Sequence, residues 1–206
     1  KIKLIIFDVD GVLINSKENM RLSFKKMCKD NEIYNIEFKD YFKKTGAPFK
    51  NIMNSLGVKK NISKLKKNYF NNSLYFKKKI KPYKDVEITL EKLQKKFIIA
   101  IVTSKIKKNT INFLKYFFPK VKFKLICSPT NKIKSKPQPD MLLHVLKKLK
   151  IKPAHSVYVG DTYIDYVASK KSKMKFILAK YGFLANDKKI KTIFKIKKFS
   201  DILKII

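Results

Sequence analysis

Lys3-Leu4-Ile5-Ile6-Phe7-Asp8-Val9-Asp10-Gly11-Val12-Leu13 decides how the rest of the chain is read. Leu4 to Phe7 is a short unbroken apolar run, the pattern of a strand buried on both faces of a parallel sheet. Two carboxylates follow it. Asp8 and Asp10 lie two residues apart, so in extended chain their side chains leave on the same side. Gly11 lets the backbone turn sharply behind them. Paired acids at the carboxyl end of a central strand suit a hard cation such as Mg²⁺ together with an anionic substrate. A strand-end Asp-x-Asp-Gly turn with no chemistry would read the same way, and these residues alone do not separate the two.

The composition around that stretch is globular. The chain has 206 residues, 45% of them hydrophobic and 16 of them Phe, enough for one sizeable core or a core carrying a smaller insertion. No apolar run is long enough to span a bilayer, and no charged-then-apolar leader opens the sequence. Cys28 and Cys127 stand far apart in no paired-ligand spacing, so they read as free thiols and the expected location is cytoplasmic. The formal charge of +35 invites a nucleic-acid reading. Against it, Arg21 is the one arginine among 50 basic residues, whereas readers of bases and phosphates favour the bidentate guanidinium fork. Lys, Asn, Ile, Phe and Tyr are abundant while Trp is absent, as an AT-rich coding sequence would give, and the lysines are spread along the whole chain. Codon bias accounts for the charge better than a polyanion partner does. The charge would still concentrate an anionic substrate.

After Leu13, Ser16 is placed to cap a helix with Glu18 in its first turn. From there to Lys81 the apolar spacing is helical throughout: Leu22, Phe24, Met27 and Cys28, then Phe38, Tyr41 and Phe42, then Ile52, Met53 and Leu56. Thr45-Gly46-Ala47-Pro48 and Leu56-Gly57-Val58 break the run, and Ile62, Leu65, Tyr69, Phe70 and Leu74 continue it. From Lys81-Pro82-Tyr83 helix and strand alternate. Helices are predicted at Val86 to Lys95, Thr110 to Phe118, Asp140 to Leu149 and around Asp165 to Ser169. Strands are predicted at Phe97 to Val102, Val121 to Cys127, Ser156 to Val159, Lys175 to Leu178 and Thr192 to Ile196. The fold class is therefore α/β, a doubly wound parallel sheet with an inserted all-helical segment. The expected domains are 1–14 with 82–206, and 15–81.

Three of these strands end in groups able to handle a phosphate, where open parallel sheets bind ligands. Asp8 and Asp10 end the first. Thr103 and Ser104 end the second, with hydroxyls and backbone N–H groups expected at a helix N-terminus. Asp161, and Asp165 four residues later, follow the third. Lys136 lies in Lys134-Ser135-Lys136-Pro137-Gln138-Pro139, a loop stiffened by two prolines. Each has a plainer reading: a helix cap for Thr103-Ser104, a turn or cap for Asp161, a first-turn acid for Asp165, one lysine among many for Lys136. Their conjunction, each at a strand end, argues against coincidence.

On these motifs the chain resembles the haloacid dehalogenase superfamily of phosphatases, within it the phosphoglycolate phosphatase-like group with a helical cap inserted after the first strand. The motifs are Phe7-Asp8-Val9-Asp10-Gly11-Val12-Leu13, Val102-Thr103-Ser104-Lys105, Lys136-Pro137-Gln138-Pro139 and Val159-Gly160-Asp161-Thr162-Tyr163-Ile164-Asp165, with softer matches at Lys81-Pro82-Tyr83 and Tyr181-Gly182-Phe183. The resemblance implies a catalytic core at 1–14 and 82–206 and a cap at 15–81. It implies Asp8 as nucleophile, forming an aspartyl-phosphate, and Asp10 as general acid and then base. Mg²⁺ would be held by the Asp8 carboxylate, the Asp10 main-chain carbonyl and Asp161. Thr103 and Ser104 would bind phosphate oxygens, Lys136 would neutralise phosphate and Asp8, and Asp165 would orient Lys136 or a metal-bound water. A dehalogenase manages without a second acid of this kind, so Asp10 favours phosphate chemistry. Val12 replaces a frequent Thr and Asn15 a frequent Asp, which bears on the subfamily and leaves the chemistry intact.

The expected function is Mg²⁺-dependent hydrolysis of a small phosphomonoester. The expected partner is a small phosphorylated metabolite, with no specific nucleic acid and no membrane, in a monomer or homodimer. A β-phosphoglucomutase-like enzyme would use the same aspartates, with Thr45-Gly46-Ala47-Pro48 resembling the substrate-facing loop of such caps. Arg21 and cap lysines would be candidates for a substrate carboxylate or second phosphate. A basic nucleic-acid-binding module is the alternative of another class, and gives no reason for Asp8, Asp10, Asp161 and Asp165 to stand at strand ends.

Overall fold

The computed structural model describes residues 1–206. All four residues of β1 (Leu4–Phe7) are fully buried, which is why so short a run holds the middle of a sheet. The chain then forms β2 (Ile14–Asn15), α1 (Lys17–Asp30), α2 (Phe38–Phe42), α3 (Phe49–Ser55), α4 (Ile62–Tyr75) and β3 (Lys81–Pro82). There follow α5 (Val86–Gln94), β4 (Ile98–Val102), α6 (Lys107–Phe117), β5 (Leu125–Cys127), α7 (Asp140–Leu149), β6 (Ser156–Gly160), α8 (Tyr163–Lys171), β7 (Lys175–Ala179) and β8 (Lys195–Ile196). A 3₁₀ segment, Phe199–Lys204, closes the chain.

Six strands form one sheet in the order β5-β4-β1-β6-β7-β8, and every adjacent pair is parallel. β1 lies between β4 and β6, with Phe7 level with Ile101 on one side and Val159 on the other. The strand order reverses there, so the carboxyl end of β1 faces the crevice that such sheets use for ligands. Alternation sends Leu4 and Ile6 to one face, where they join Ala100, Val102, Tyr158, Met141, Leu142 and Val145. From the other face Phe7 meets Phe199 of the 3₁₀ segment, ring centroids 5.5 Å apart.

The chain divides into two compact units, Lys1–Ile14 with Pro82–Ile206, and Asn15–Lys81. The second is all-helical apart from the single strand residues at its ends. It has its own core of Phe24, Met27, Tyr41, Phe49, Ile52, Met53, Leu65 and Tyr69, with Phe24 and Tyr41 centroids 4.7 Å apart. Asn19 donates to the Ser73 carbonyl at 2.9 Å and accepts from the Ser73 hydroxyl at 2.8 Å, tying α1 to α4. Cys28 and Cys127 are free and buried, and burial pushes each thiol up to about 11.

Several boundaries differ from the sequence expectation for local reasons. The strand expected over Val121 to Cys127 is reduced to β5, because the Gln94 side chain takes the Lys122 N–H at 2.8 Å and the Lys120 carbonyl at 3.1 Å. At the opposite edge Thr192 Oγ donates to the Phe176 carbonyl and accepts from Phe194 N–H, leaving only β8 of the expected Thr192 to Ile196. Ser16 precedes α1 but its side chain makes no capping bond. The helix expected around Asp165 starts at Tyr163, because Thr162 caps it and Asp165 completes a capping box.

Lys150 ends α7 in the left-handed region at φ 54°, with its N–H on the Leu146 and Lys147 carbonyls. Glycine avoids the Cβ penalty of that conformation at some cost in unfolded-chain entropy. Lys150→Gly is expected to stabilise the protein by about 0.5–1 kcal/mol in urea denaturation, and Lys150→Val to destabilise it. A Gly variant less stable than the parent would show that the lysine side chain outweighs the backbone term.

Candidate active site

Sheet topology gathers residues far apart in sequence at the ends of β1, β4 and β6. Asp8 immediately follows β1 and its N–H donates to the Val159 carbonyl at 3.0 Å, so the carboxylate leaves from a fixed backbone. Lys136 reaches in from the loop before α7, its side chain only 1% exposed. Its ammonium stands 2.9 Å from Asp8 Oδ2, 2.6 Å from Asp165 Oδ1 and 3.1 Å from the Tyr158 hydroxyl. An ammonium has three donors, and here three acceptors surround it. Two carboxylates outweigh the cost of burying that charge and hold the lysine protonated, above its ordinary range.

The three buried acids are not equivalent. Asp165 is saturated: Oδ1 accepts from Lys136 and, at 2.8 Å, from Tyr158, and Oδ2 accepts from the Thr162 hydroxyl at 2.7 Å and the N–H groups of Asp161 and Thr162. Burial alone would raise its pKa, but the Lys136 charge and these donors hold it below the ordinary carboxylate range. Asp161 Oδ2 accepts from Phe183 N–H at 2.6 Å, whereas its Oδ1 is buried without a hydrogen-bond partner. Asp8 Oδ1 is buried and unpartnered likewise. Burial raises Asp8 to about 6 against the pull of Lys136, and burial with the charges of Asp165 and Asp8 raises Asp161 well above its usual value.

Buried oxygens of this kind are suited to accept a cation. Asp8, Asp161 and Asp165 can each offer an oxygen within 4.8 Å of the others, so the buried acidic group can bind a metal ion. With Asp165 committed to its donors, Asp8 and Asp161 are the pair with oxygens to spare, a set suited to a hard, oxygen-seeking ion. Close packing maintains the set. Gly11 has φ +78°, and a Cβ there would collide with the Asp161 carboxylate. A Cβ on Gly182 would collide with Asp161 Cβ and come 2.7 Å from the Gly11 carbonyl.

The Asp10 carboxylate stands outside this group. It pairs with Lys105, whose ammonium lies 3.0 Å from each of its oxygens. Thr103 is buried, its N–H on the Cys127 carbonyl and its hydroxyl accepting from Lys105 N–H at 3.3 Å. Ser104 Oγ is 3.1 Å from Ser135 Oγ, beside the Lys136 loop. The helix expected over Thr110 to Phe118 begins earlier, at Lys107, and Thr103 and Ser104 lie in the loop that precedes its N-terminus. In the helical unit Arg21 is held by Glu18 at 2.8 and 2.7 Å, and Thr45 donates its hydroxyl to the Phe42 carbonyl.

An open parallel sheet thus gathers these carboxylates and one buried lysine at its switch point. The family model described as haloacid dehalogenase-like hydrolase matches residues 5–179, and the chain belongs to that family. It is 27% identical over 209 residues to the phosphoglycolate phosphatase of Aquifex aeolicus, covering 99% of this chain and 96% of that protein. It is also 27% identical to pyrophosphatase PpaX of Halalkalibacterium halodurans, over 91% of this chain and 87% of that protein. Among solved structures, a haloacid dehalogenase-like family hydrolase from Streptococcus pneumoniae superposes with a TM-score of 0.86 at 19% identity, covering 99% of this chain and 98% of that one. CbbY of Rhodobacter sphaeroides in complex with phosphate gives 0.84 at 17% identity, covering 98% and 96%.

Sequence reasoning passed over Tyr158, Lys105 as a partner of Asp10, and the N–H of Phe183. Tyr158 reads as an ordinary strand residue, and only its 0% exposure beside two charges shows that its hydroxyl must be used. Tyr158→Phe removes a donor from Asp165 and an acceptor from Lys136 in a buried site. The expected cost is about 1–3 kcal/mol, read by chemical denaturation at constant m-value. A variant as stable as the parent would show the hydroxyl to be dispensable.

Proposed function

We propose that the protein is a Mg²⁺-dependent phosphatase that hydrolyses a small phosphomonoester through an aspartyl-phosphate on Asp8. The observation that carries this reading is the pair of buried, unpartnered oxygens on Asp8 and Asp161 next to an ammonium aimed at Asp8. The unit Lys1–Ile14 with Pro82–Ile206 is the catalytic core in this reading, and Asn15–Lys81 is its cap.

Asp8 attacks phosphorus as the bond to the leaving oxygen breaks, and Asp10 delivers a proton to that oxygen. In the second half a water attacks the phosphorus of the aspartyl-phosphate, Asp10 takes its proton, and Asp8 is regenerated with release of inorganic phosphate. Lys136 neutralises Asp8 and the phosphoryl oxygens, and Asp165 with Tyr158 aims it. Thr103 and Ser104 hold phosphoryl oxygens from the end of β4. Asp8, Asp161 and the Asp10 main-chain carbonyl would hold Mg²⁺, whose positive charge would let one anion approach another and would stabilise the transition state. Alignment and charge neutralisation are most of what phosphoryl transfer asks of a protein. The names of the relatives add two substrate classes, phosphoglycolate and pyrophosphate.

Phosphate release from phosphoglycolate and pyrophosphate is expected, lost on EDTA treatment and restored by Mg²⁺. Asp8→Asn is expected to lower kcat by about 10³-fold or more. Appreciable turnover by that variant would remove Asp8 as nucleophile. With β-glucose 1-phosphate the expected product is free phosphate, and accumulation of glucose 6-phosphate would indicate a mutase instead.

A further inference from the structure

Two lysines serve the acids of this site, and they differ in what can reach them. Lys136 is sealed, its side chain 1% exposed, with Asp8, Asp165 and Tyr158 around it. Lys105 lies at the rim, its side chain 18% exposed and that of Asp10 15% exposed. Its ammonium straddles the Asp10 carboxylate, 3.0 Å from both oxygens, and stands 5.6 Å above the centroid of the Phe113 ring. Its backbone N–H is fixed to the Thr103 hydroxyl at 3.3 Å. Two acceptors on Asp10 leave the ammonium with capacity for a third.

We propose that Lys105 determines specificity by binding an anionic group carried on the leaving group, close to the scissile oxygen. This rests on the phosphatase reading above, in which Asp10 protonates the leaving oxygen. To do so Asp10 must come within about 2.7 Å of that oxygen, which brings the Lys105 ammonium within roughly 6 Å of it. An anion a few bonds from the scissile oxygen falls inside that radius: the carboxylate of a 2-phosphoglycolate-type ester, or the distal phosphoryl group of a diphosphate. An anion at the far end of a sugar falls outside it. The leaving-group anion would then meet Lys105, while the transferring phosphoryl group meets Asp8, whose carboxylate Lys136 holds from behind. If Lys105 served only to hold Asp10 in place, every substrate would depend on it equally.

The test compares phosphoglycolate with ethyl phosphate, which has a methyl group in place of the carboxylate. In the unmodified protein kcat/KM is expected to favour phosphoglycolate by about ten-fold or more, carried mainly by KM, the scale of one charge-assisted hydrogen bond. Lys105→Met is expected to collapse that preference and Lys105→Arg to retain it. Equal efficiency toward the two esters in the unmodified protein overturns the inference without any variant. A preference that survives in Lys105→Met overturns it as well. A protein that hydrolyses neither ester nor pyrophosphate overturns the phosphatase reading itself, a distinct result from hydrolysing both esters alike.

Discussion

The ammonium of Lys136 sits where no water replaces its partners, 2.9 Å from Asp8 and 2.6 Å from Asp165. Burying one charge in this way costs several kcal/mol unless oppositely charged groups meet it with good geometry. Here two carboxylates and a tyrosine hydroxyl do so, and each of them is fixed in turn. Asp165 is clamped by the Thr162 cap, Tyr158 is part of β6, and Asp8 hangs from a backbone bond to that strand. The balance is still unequal, because Asp161 brings a third buried carboxylate and Lys136 supplies one positive charge. The excess falls on the Oδ1 atoms of Asp8 and Asp161, the two buried carboxylate oxygens of this centre open to a cation.

The central strand was legible because an unbroken apolar run that ends in acids has few alternatives, and strand alternation with helices gave the parallel sheet. The acids were legible together because a parallel sheet places all its carboxyl ends on one side, so residues as distant as Asp8 and Asp161 need only follow their strands to meet. The edges were less readable. Gln94 and Thr192 take backbone partners that a propensity argument assigns to neighbouring strands, and such substitutions depend on tertiary proximity. Tyr158 and Lys105 escaped notice for another reason. A tyrosine in an apolar strand and a lysine in a lysine-rich chain look ordinary until burial and an ion pair set them apart.

Capping shows the same limit at smaller scale. Ser16 and Thr162 both precede helices with an acid in the first turn, yet only Thr162 uses its hydroxyl as a cap. The difference lies in backbone conformation: Thr162 is extended at φ −115°, ψ 159°, whereas Ser16 has ψ 9°, which points its side chain elsewhere. Of these two helices α8 is the one that receives a full capping box, and its capping acid is the same Asp165 that accepts from Lys136.

The position of β1 between β4 and β6 has a consequence for how the molecule comes into being. Leu4 pairs with Ile98 on one side and Ser156 on the other. In a chain emerging from the ribosome this apolar strand appears well before both of the strands that cover it. Meanwhile Asn15–Lys81 can condense around its own aromatic cluster, whose contacts are nearer in sequence. β1, which leads into Asp8, is thus made before both of the strands that enclose it, and Asp8 and Asp161 meet only as the central sheet is completed.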